Sequence, residues 1–300
     1  MLHLLRRLRC SLDAALGFLV PLQVEPFGLF LALGLLLGVG LSARLGARGG
    51  FERQLGAEGL FGALVGALLG ARTLYLVGAR APVSAALGFA LGEGGLSGYG
   101  AWIGASLGGW LSCRAYFRRR GGRDRVRATQ AWFDVAALGA VLVIAITRLG
   151  CSLQGCDFGR ALPARAPAWL ARLGTFPRSV GGVSIPVWVE QVSRGELGRD
   201  SASTLPVHPT ALYEAFGALI LLAVLFVRRR SQRYHGELFL CAAVGYAWLR
   251  LLTESARGDL DRGSYLGVSM SQWCALVSAP LALLALFAQR PRLQRDERST

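Results

Sequence analysis

Arg72, Asp134, Arg148, Glu214, Arg250 and Glu254 stand inside long apolar runs or at their ends. A charge held at the middle of a bilayer costs about 2.5–3.5 kcal/mol, so it is a functional-site candidate by default. Two uses fit. Pairs such as Arg250 with Glu214 can tie helices together, or the same groups can line a polar cavity. Spacing favours the cavity. Tyr246, Arg250, Glu254 and Arg257 recur at intervals of four, four and three residues, which places them on one stripe of a helix. A Tyr-Arg-Glu-Arg stripe has no place against acyl chains. The planar forks of Arg72, Arg148 and Arg250 suit a phosphate. Three Arg with Glu214 and Glu254 therefore read as a site for an anionic lipid headgroup, although a transporter would show the same pattern.

The rest of the chain has to position these groups. It has 300 residues, of which 53% are hydrophobic and only 17% charged, with a mean hydropathy of +0.44. Soluble domains carry about 25% charged residues, so the composition excludes a disordered chain and argues against a soluble one. The net charge of +15 comes entirely from Arg, because all 33 basic residues are Arg and none is Lys. They sit mostly between apolar runs, which points to an anionic membrane surface and not to nucleic acid. Seven runs approach the roughly 20 residues that cross a bilayer as helix: Phe27–Ala43, Leu60–Ala79, Leu96–Phe117, Ala131–Cys151, Pro209–Val227, Glu237–Glu254 and Ser269–Ala288. The 40 Gly recur within them, and small residues let helices approach closely in lipid. The expected fold is an all-α integral membrane protein of seven spans. Residues 1–300 form a single membrane domain with 152–208 as a loop insertion. In that loop, Gly181 to Trp188 is expected to form a small strand pair.

Arg placement sets orientation. Eighteen Arg fall on one side of the seven spans and twelve on the other, six of the twelve in the long loop. The C-terminus is therefore expected in the cytoplasm and the N-terminus outside, with Arg6, Arg7 and Arg9 running against the rule. Residues 12–24 read as an interfacial helix, since Asp13 interrupts any signal-peptide core. In this orientation Arg72, Tyr75, Tyr99, Arg148, His208, Tyr213, Glu214, Tyr246, Arg250 and Glu254 converge on the outer leaflet. Asp134 falls near the cytoplasmic end. Trp102, Trp110, Trp132 and Trp248 read as packing or interface residues. Of the six Cys, Cys151 and Cys156 lie on the oxidising side, so a disulfide is open to them. A thiol-redox protein is then a rival reading, while the lack of accompanying His argues against zinc. No motif calls for a metal or cofactor.

Five segments together resemble one family. Val207-His208-Pro209-Thr210-Ala211-Leu212-Tyr213-Glu214 is similar to the His-Pro-[Ser/Thr]-Gln-Leu-Tyr-Glu motif of prolipoprotein diacylglyceryl transferases. Arg148 to Arg160 resembles the family signature Gly-Arg-x-Gly-Asn-Phe-x-Asn-Gly-Glu-x-x-Gly, and Tyr246 to Arg257 its Tyr-x-x-x-Arg-x-x-x-Glu-x-x-Arg stripe. Gly70 to Tyr75 resembles Gly-Gly-Arg-x-x-Tyr, and Leu266 to Gln272 resembles the Leu-x-x-Ser-Met-Gly-Gln opening of the last helix. The resemblance runs from about Phe27 to Leu284. Tyr99-Gly100-Ala101 stands where the family has His-Gly-Gly, Cys151 and Cys156 stand for its Asn and Glu, Ala211 for Gln, and Phe27 for Tyr. These departures match a divergent, cysteine-bearing branch.

The resemblance implies seven spans, an outer N-terminus and a bacterial inner-membrane location. It implies transfer of a diacylglyceryl group from phosphatidylglycerol to the lipobox cysteine thiol of a preprolipoprotein signal peptide. A thioether forms and glycerol phosphate leaves. Arg148 and Arg250 are expected to stabilise the leaving phosphate in a low-dielectric site. Tyr99 takes the place of the family's proton-abstracting His. With an unperturbed pKa near 10 it needs an Arg neighbour to act as a base, or it positions an oxygen; an interfacial anchor is its plainer reading. Arg72, Tyr75, Gln154, Gly155, Gly159, His208, Tyr213, Glu214, Tyr246, Glu254 and Arg257 are expected to bind substrate. Within that group His208, held at the surface by Pro209, is expected to hydrogen-bond structurally, and Glu254 to orient Arg250 or Arg257. The alternative is a relative that acts on another acceptor or binds lipid without catalysis.

Overall fold

The computed structural model describes residues 26–78, 96–122, 124–180, 183–258, 264–265 and 268–296. The expected interfacial helix at 12–24, the Arg6–Arg9 cluster, Gly181, Gly182, Leu266 and Gly267 lie outside the described residues. A long helix occupies each of the seven apolar runs: α1 (Pro26–Arg48), α2 (Arg53–Gly78), α3 (Gly98–Arg120), α4 (Arg125–Gln154), α7 (Thr210–Arg229), α8 (Glu237–Glu254) and α9 (Met270–Asp296). Between α4 and α7 lie α5 (Ala168–Gly174), the hairpin β1 (Ser179–Val180) and β2 (Val183–Ser184), and α6 (Pro186–Ser193). A second hairpin, β3 (Ser264–Tyr265) with β4 (Val268–Ser269), leads into α9. The protein is therefore a mostly helical membrane protein. Among the described residues, α1, α2, α4, α7 and the Met270–Ala288 part of α9 are long and apolar enough to span a bilayer. The others are helical but more polar. α3 is diluted by Gly and Ser, and α8 carries Glu237, Arg250 and Glu254 in 18 residues.

The expected strand pair forms only in part. β1 and β2 pair with Ser179 opposite Ser184. The chain then turns helical at Pro186, the first residue of α6, because its fixed φ suits a first helical turn and its missing N–H is not needed there.

The described chain divides into two compact units. The first draws on residues 26–35, 143–180, 183–218 and 252–258. Its apolar centre is Phe158, Phe176, Ile185, Val187, Trp188 and Val207. Irregular backbone is held there by cross-chain hydrogen bonds: Gly159 N–H to the His208 carbonyl (2.8 Å), Arg160 N–H to Ala256 (2.9 Å), and Leu162 N–H to Pro206 (2.9 Å). Gly159 is forced by this crossing, since a Cβ there would lie 2.6 Å from the Ala256 oxygen and 2.7 Å from the His208 oxygen.

The second unit is organised by glycine. Gly62, Gly66 and Gly70 on α2 face Gly108, Gly104 and Gly100 on α3, so the two backbones touch. The four-residue period keeps all six on the facing sides. The indole of Trp132 fills the next space, where Gly59 and Gly109 leave room for it. At the end of this seam Ser97 caps α3, accepting from Gly100 N–H at 3.3 Å, and its own N–H donates to the Ala71 carbonyl at 3.0 Å. That seam fixes Arg72 and Tyr75 on α2 at the same end as Tyr99 on α3.

Asp134 is explained in this unit. It is buried, and its carboxylate accepts from Gly236 N–H (2.6 Å), Phe239 N–H (3.0 Å) and Gln232 Nε2 (2.6 Å). It is a cap supplied from α4 to the start of α8, where unpaired N–H groups and the helix dipole favour a carboxylate. Gly104→Leu should lower the thermal unfolding midpoint of the purified protein sharply, because the first added carbon already lies 2.8 Å from the Gly66 carbonyl carbon and 2.9 Å from Gly70 Cα. Overpacking costs about 1–3 kcal/mol or more. Gly40→Ala, with nothing within 4 Å of the new carbon, should leave the midpoint unchanged.

Candidate functional site

Five charges meet in the first unit. Arg148 lies in the last two turns of α4 and Glu214 in the first two of α7, so each faces the favourable end of its own helix dipole. Arg148 Nε is 3.1 Å from Glu214 Oε2, and Arg148 Nη1 donates to Asp157 Oδ2. The other oxygen of Asp157 accepts from Arg257 Nη2 at 2.7 Å, and Arg257 Nε stands 4.0 Å from Glu254 Oε2. All five side chains are nearly closed off from solvent, Glu214 most of all at 1% exposure.

The local chain explains why Asp157 can bridge. α4 ends at Gln154, and Gly155 follows at φ +70°, its N–H capping the Cys151 carbonyl at 2.9 Å. Asp157 then adopts φ +55°, a left-handed conformation that Asp tolerates better than most side chains. These two left-handed residues turn the chain back over the end of α4, and Asp157 comes to lie against Arg148. Its carbonyl is held by the Thr210 hydroxyl at 2.5 Å, next to the first turn of α7. Asp157 was not singled out from the sequence. The available signal was an acid two residues after a glycine at the end of an apolar helix that carries Arg148.

The other expected residues of this unit have specific places. Gln154 Oε1 accepts from Phe27 N–H at 3.1 Å, so it reaches the first turn of α1. His208 stands outside α7, its Nδ1 3.2 Å from the Tyr213 hydroxyl, with its N–H on the Arg160 carbonyl at 2.9 Å. Cys151 and Cys156 are free thiols and not a disulfide. The turn that caps α4 brings Cys156 N–H and its Sγ to the same Cys151 carbonyl, at 3.2 and 3.6 Å. Cys151 Sγ itself lies 3.9 Å from Arg148 Nη1.

The second unit holds the remaining expected residues. Tyr99 is buried, and its ring lies 5.8 Å from that of Tyr246, which in turn stacks on Trp102 at 5.9 Å. Tyr99 therefore does not face lipid. Arg250 is buried one turn beyond Tyr246 on α8. Arg72 is half-buried with its guanidinium 5.8 Å from the Tyr75 ring, and Tyr75 is exposed. Among the described residues no group of His, Cys, Asp and Glu could hold a metal.

A helical membrane protein with a buried, carboxylate-bridged arginine pair is the class these features define. The sequence model of the prolipoprotein diacylglyceryl transferase family matches residues 14–288, and the chain belongs to that family. It is 29% identical over 299 residues to the phosphatidylglycerol–prolipoprotein diacylglyceryl transferase of Thermus thermophilus, covering 93% of this chain and 98% of that protein. With the enzyme of the same name from Frankia casuarinae it shares 27% identity over 290 residues, which is 92% of this chain but only 62% of that protein. The Neisseria meningitidis enzyme of that name is 26% identical over 287 residues, with 91% and 93% covered.

Removing the bridge should be costly. Asp157→Ala leaves two buried guanidinium groups without their shared acceptor, and breaking a buried pair costs about 3–5 kcal/mol. Its thermal midpoint should fall well below that of the wild type, whereas the exposed Asp200→Ala should behave as wild type.

Proposed function

We propose that the protein transfers the diacylglyceryl group of phosphatidylglycerol to the lipobox cysteine of a preprolipoprotein. The observation that carries this reading is the convergence of Arg148 and Arg257 on one carboxylate. A phosphate presents the same paired acceptor oxygens as a carboxylate, so this clamp suits the headgroup phosphate as well as Asp157. The names of the relatives and the family match support the same substrates.

In the reaction the thiolate sulfur attacks the glyceryl carbon esterified to phosphate. A C–S bond forms, the C–O bond breaks, and the electron pair leaves on glycerol phosphate. The thiol proton goes to a base. Guanidinium groups fixed in a poorly hydrated site stabilise the charge that collects on the leaving phosphate without reorganising at the moment of reaction. Arg148 and Arg257 act there through the clamp. Arg250 is assigned the same task as a buried Arg on the motif-bearing α8. Glu254 and Glu214 orient the guanidinium planes. Arg72, Tyr75, Gln154, Gly155, Gly159, His208, Tyr213 and Tyr246 are assigned to substrate positioning.

The topology belongs to the proposal. All seven long helices cross the inner membrane of a bacterium, with the N-terminus outside and the C-terminus in the cytoplasm. Residues 152–208 form an extracytoplasmic insertion in one membrane domain. α3 and α8 cross despite their polarity, since Tyr99 on α3 and Glu237, Arg250 and Thr253 on α8 are buried within the protein.

Tyr99 favours a second reading. Its ring is packed among aromatics, a setting for a positioning hydroxyl more than for a base. The chain would then serve a different acceptor. Purified protein should convert a lipobox peptide in phosphatidylglycerol vesicles, and Arg148→Ala should lower the rate at least about a hundredfold, as loss of one transition-state charge contact does. Folded wild-type protein with no transfer, together with failure to rescue a strain depleted of its own transferase, would select the second reading.

A further inference from the structure

The second unit contains another charged cavity, which shares no residue with the Arg148 network. It has a volume of about 1020 Å³ and lies between the start of α4 and the end of α7. Arg125, Arg127, Arg229 and Arg233 line it, with Asp124 as the one acid among the described lining residues. The neighbouring arginine Arg228 is occupied, since its guanidinium pairs with Glu237. Among the described residues no carboxylate pairs with the side chains of Arg127, Arg229 or Arg233, and Arg125 donates only to the Gly122 carbonyl, at 3.1 Å. Four guanidinium groups thus face one carboxylate around an open space, an excess of cation that the described residues do not neutralise.

The cavity continues into an apolar cleft of about 360 Å³. Arg127, Arg229 and Asp124 line both, and the walls of the cleft include Leu45, Phe51, Val135, Leu138 and Leu238 together with Asp134, whose carboxylate is taken up by Gly236 N–H, Phe239 N–H and Gln232. A free anion has no use for those walls. A molecule with a phosphate at one end and a hydrocarbon chain at the other would satisfy both. Basic pockets between membrane helices take acidic lipid headgroups for this reason. Guanidinium is suited to the part because its planar fork grips two phosphate oxygens at once.

We propose that this cavity binds the phosphate of an anionic phospholipid, with part of an acyl chain in the adjoining cleft, as a lipid distinct from the one that reacts. The proposal rests on the membrane reading of the helices and not on the transferase reading.

The test uses the detergent-purified full chain and follows binding by native mass spectrometry and thermal unfolding. The probes are phosphatidic acid, which has a bare phosphate headgroup, then phosphatidylcholine, then inorganic phosphate. Phosphatidic acid should bind and raise the unfolding midpoint; phosphatidylcholine and inorganic phosphate at the same concentration should not. R127Q/R229Q should bind phosphatidic acid about tenfold more weakly or worse, while keeping the wild-type midpoint without lipid, because among the described residues no carboxylate pairs with either side chain. R125Q/R233Q, at the exposed rim, should shift binding in the same direction. R148A should leave this binding intact whether or not it abolishes transfer. Wild-type affinity in both double variants would overturn the proposal. Equal protection by inorganic phosphate would overturn the lipid assignment.

Discussion

Charges withdrawn from water must be answered where they stand, and in the first unit this is done by one carboxylate. Arg148 comes from α4 and Arg257 from the turn that follows α8, and two guanidinium groups brought together would repel strongly in a medium of low dielectric. Asp157 makes their approach favourable because it offers one oxygen to each. Glu214 and Glu254 complete the balance on the outer sides. Two arginines against three acids give an arrangement that holds together without substrate. It also means that an incoming phosphate does not meet bare cations. On the proposed reading the phosphate competes with, or joins, a carboxylate already in the clamp, and the protein's own anion moderates affinity for the leaving group. That suits a catalyst: a phosphate bound as tightly as bare guanidinium would bind it would be released slowly as product.

The geometry around this network depends on backbone, not side chains. Gly155 and Asp157 turn the chain through left-handed conformations, and Gly159 lets three strands of irregular backbone cross at contact distance. Irregular backbone is acceptable only where its N–H and C=O groups find partners. The Gly159–His208, Arg160–Ala256 and Leu162–Pro206 bonds supply them. In the second unit the corresponding device is the glycine seam of α2 and α3, where close packing replaces a hydrophobic driving force that lipid does not provide. Asp134 solves another problem there. It is a buried acid whose partners are mostly N–H groups, and its cost is met by the N-terminus of α8.

Much of this was legible in the sequence. Helices stand at all seven apolar runs because long apolar runs have few alternatives once their backbone must be satisfied internally. Tyr246, Arg250 and Glu254 on α8 and the motif residues Arg148 and Glu214 were visible because charge inside apolar sequence is rare; Arg257, expected on the same helical stripe, lies beyond it because α8 ends at Glu254. Less legible was anything set by the turn after α4. The pairing of Arg148 with Glu214 depends on where helix ends meet, and periodicity carries no information on that. Asp134 looked like an exception among the buried charges because a cap contributed from another helix leaves no local pattern. The strand pair expected over Gly181 to Trp188 gives way at Pro186, which starts a helical turn that runs to Ser193.

The cysteine-bearing signature becomes intelligible in the same terms. Where the family pattern has an acid at position 156, this chain has a thiol there and an acid one residue later. A one-residue shift in a helix or strand would turn the carboxylate onto another face. Here it does not matter in that way, because 155–157 is a turn in which each residue has its own backbone conformation. Asp157 at positive φ points its carboxylate back along α4 to Arg148, while the Cys156 thiol stays on the Cys151 carbonyl. A negative charge therefore stands beside Arg148, on a short side chain whose position is set by the backbone. Cys151 lies against the same guanidinium at 3.9 Å. A thiol is a weaker hydrogen-bonding partner than an amide, and Asp157 and Glu214 are the carboxylates that orient Arg148. The departure from the family pattern thus leaves a carboxylate on Arg148, and on the proposed reading that carboxylate is what an arriving phosphate has to displace or join.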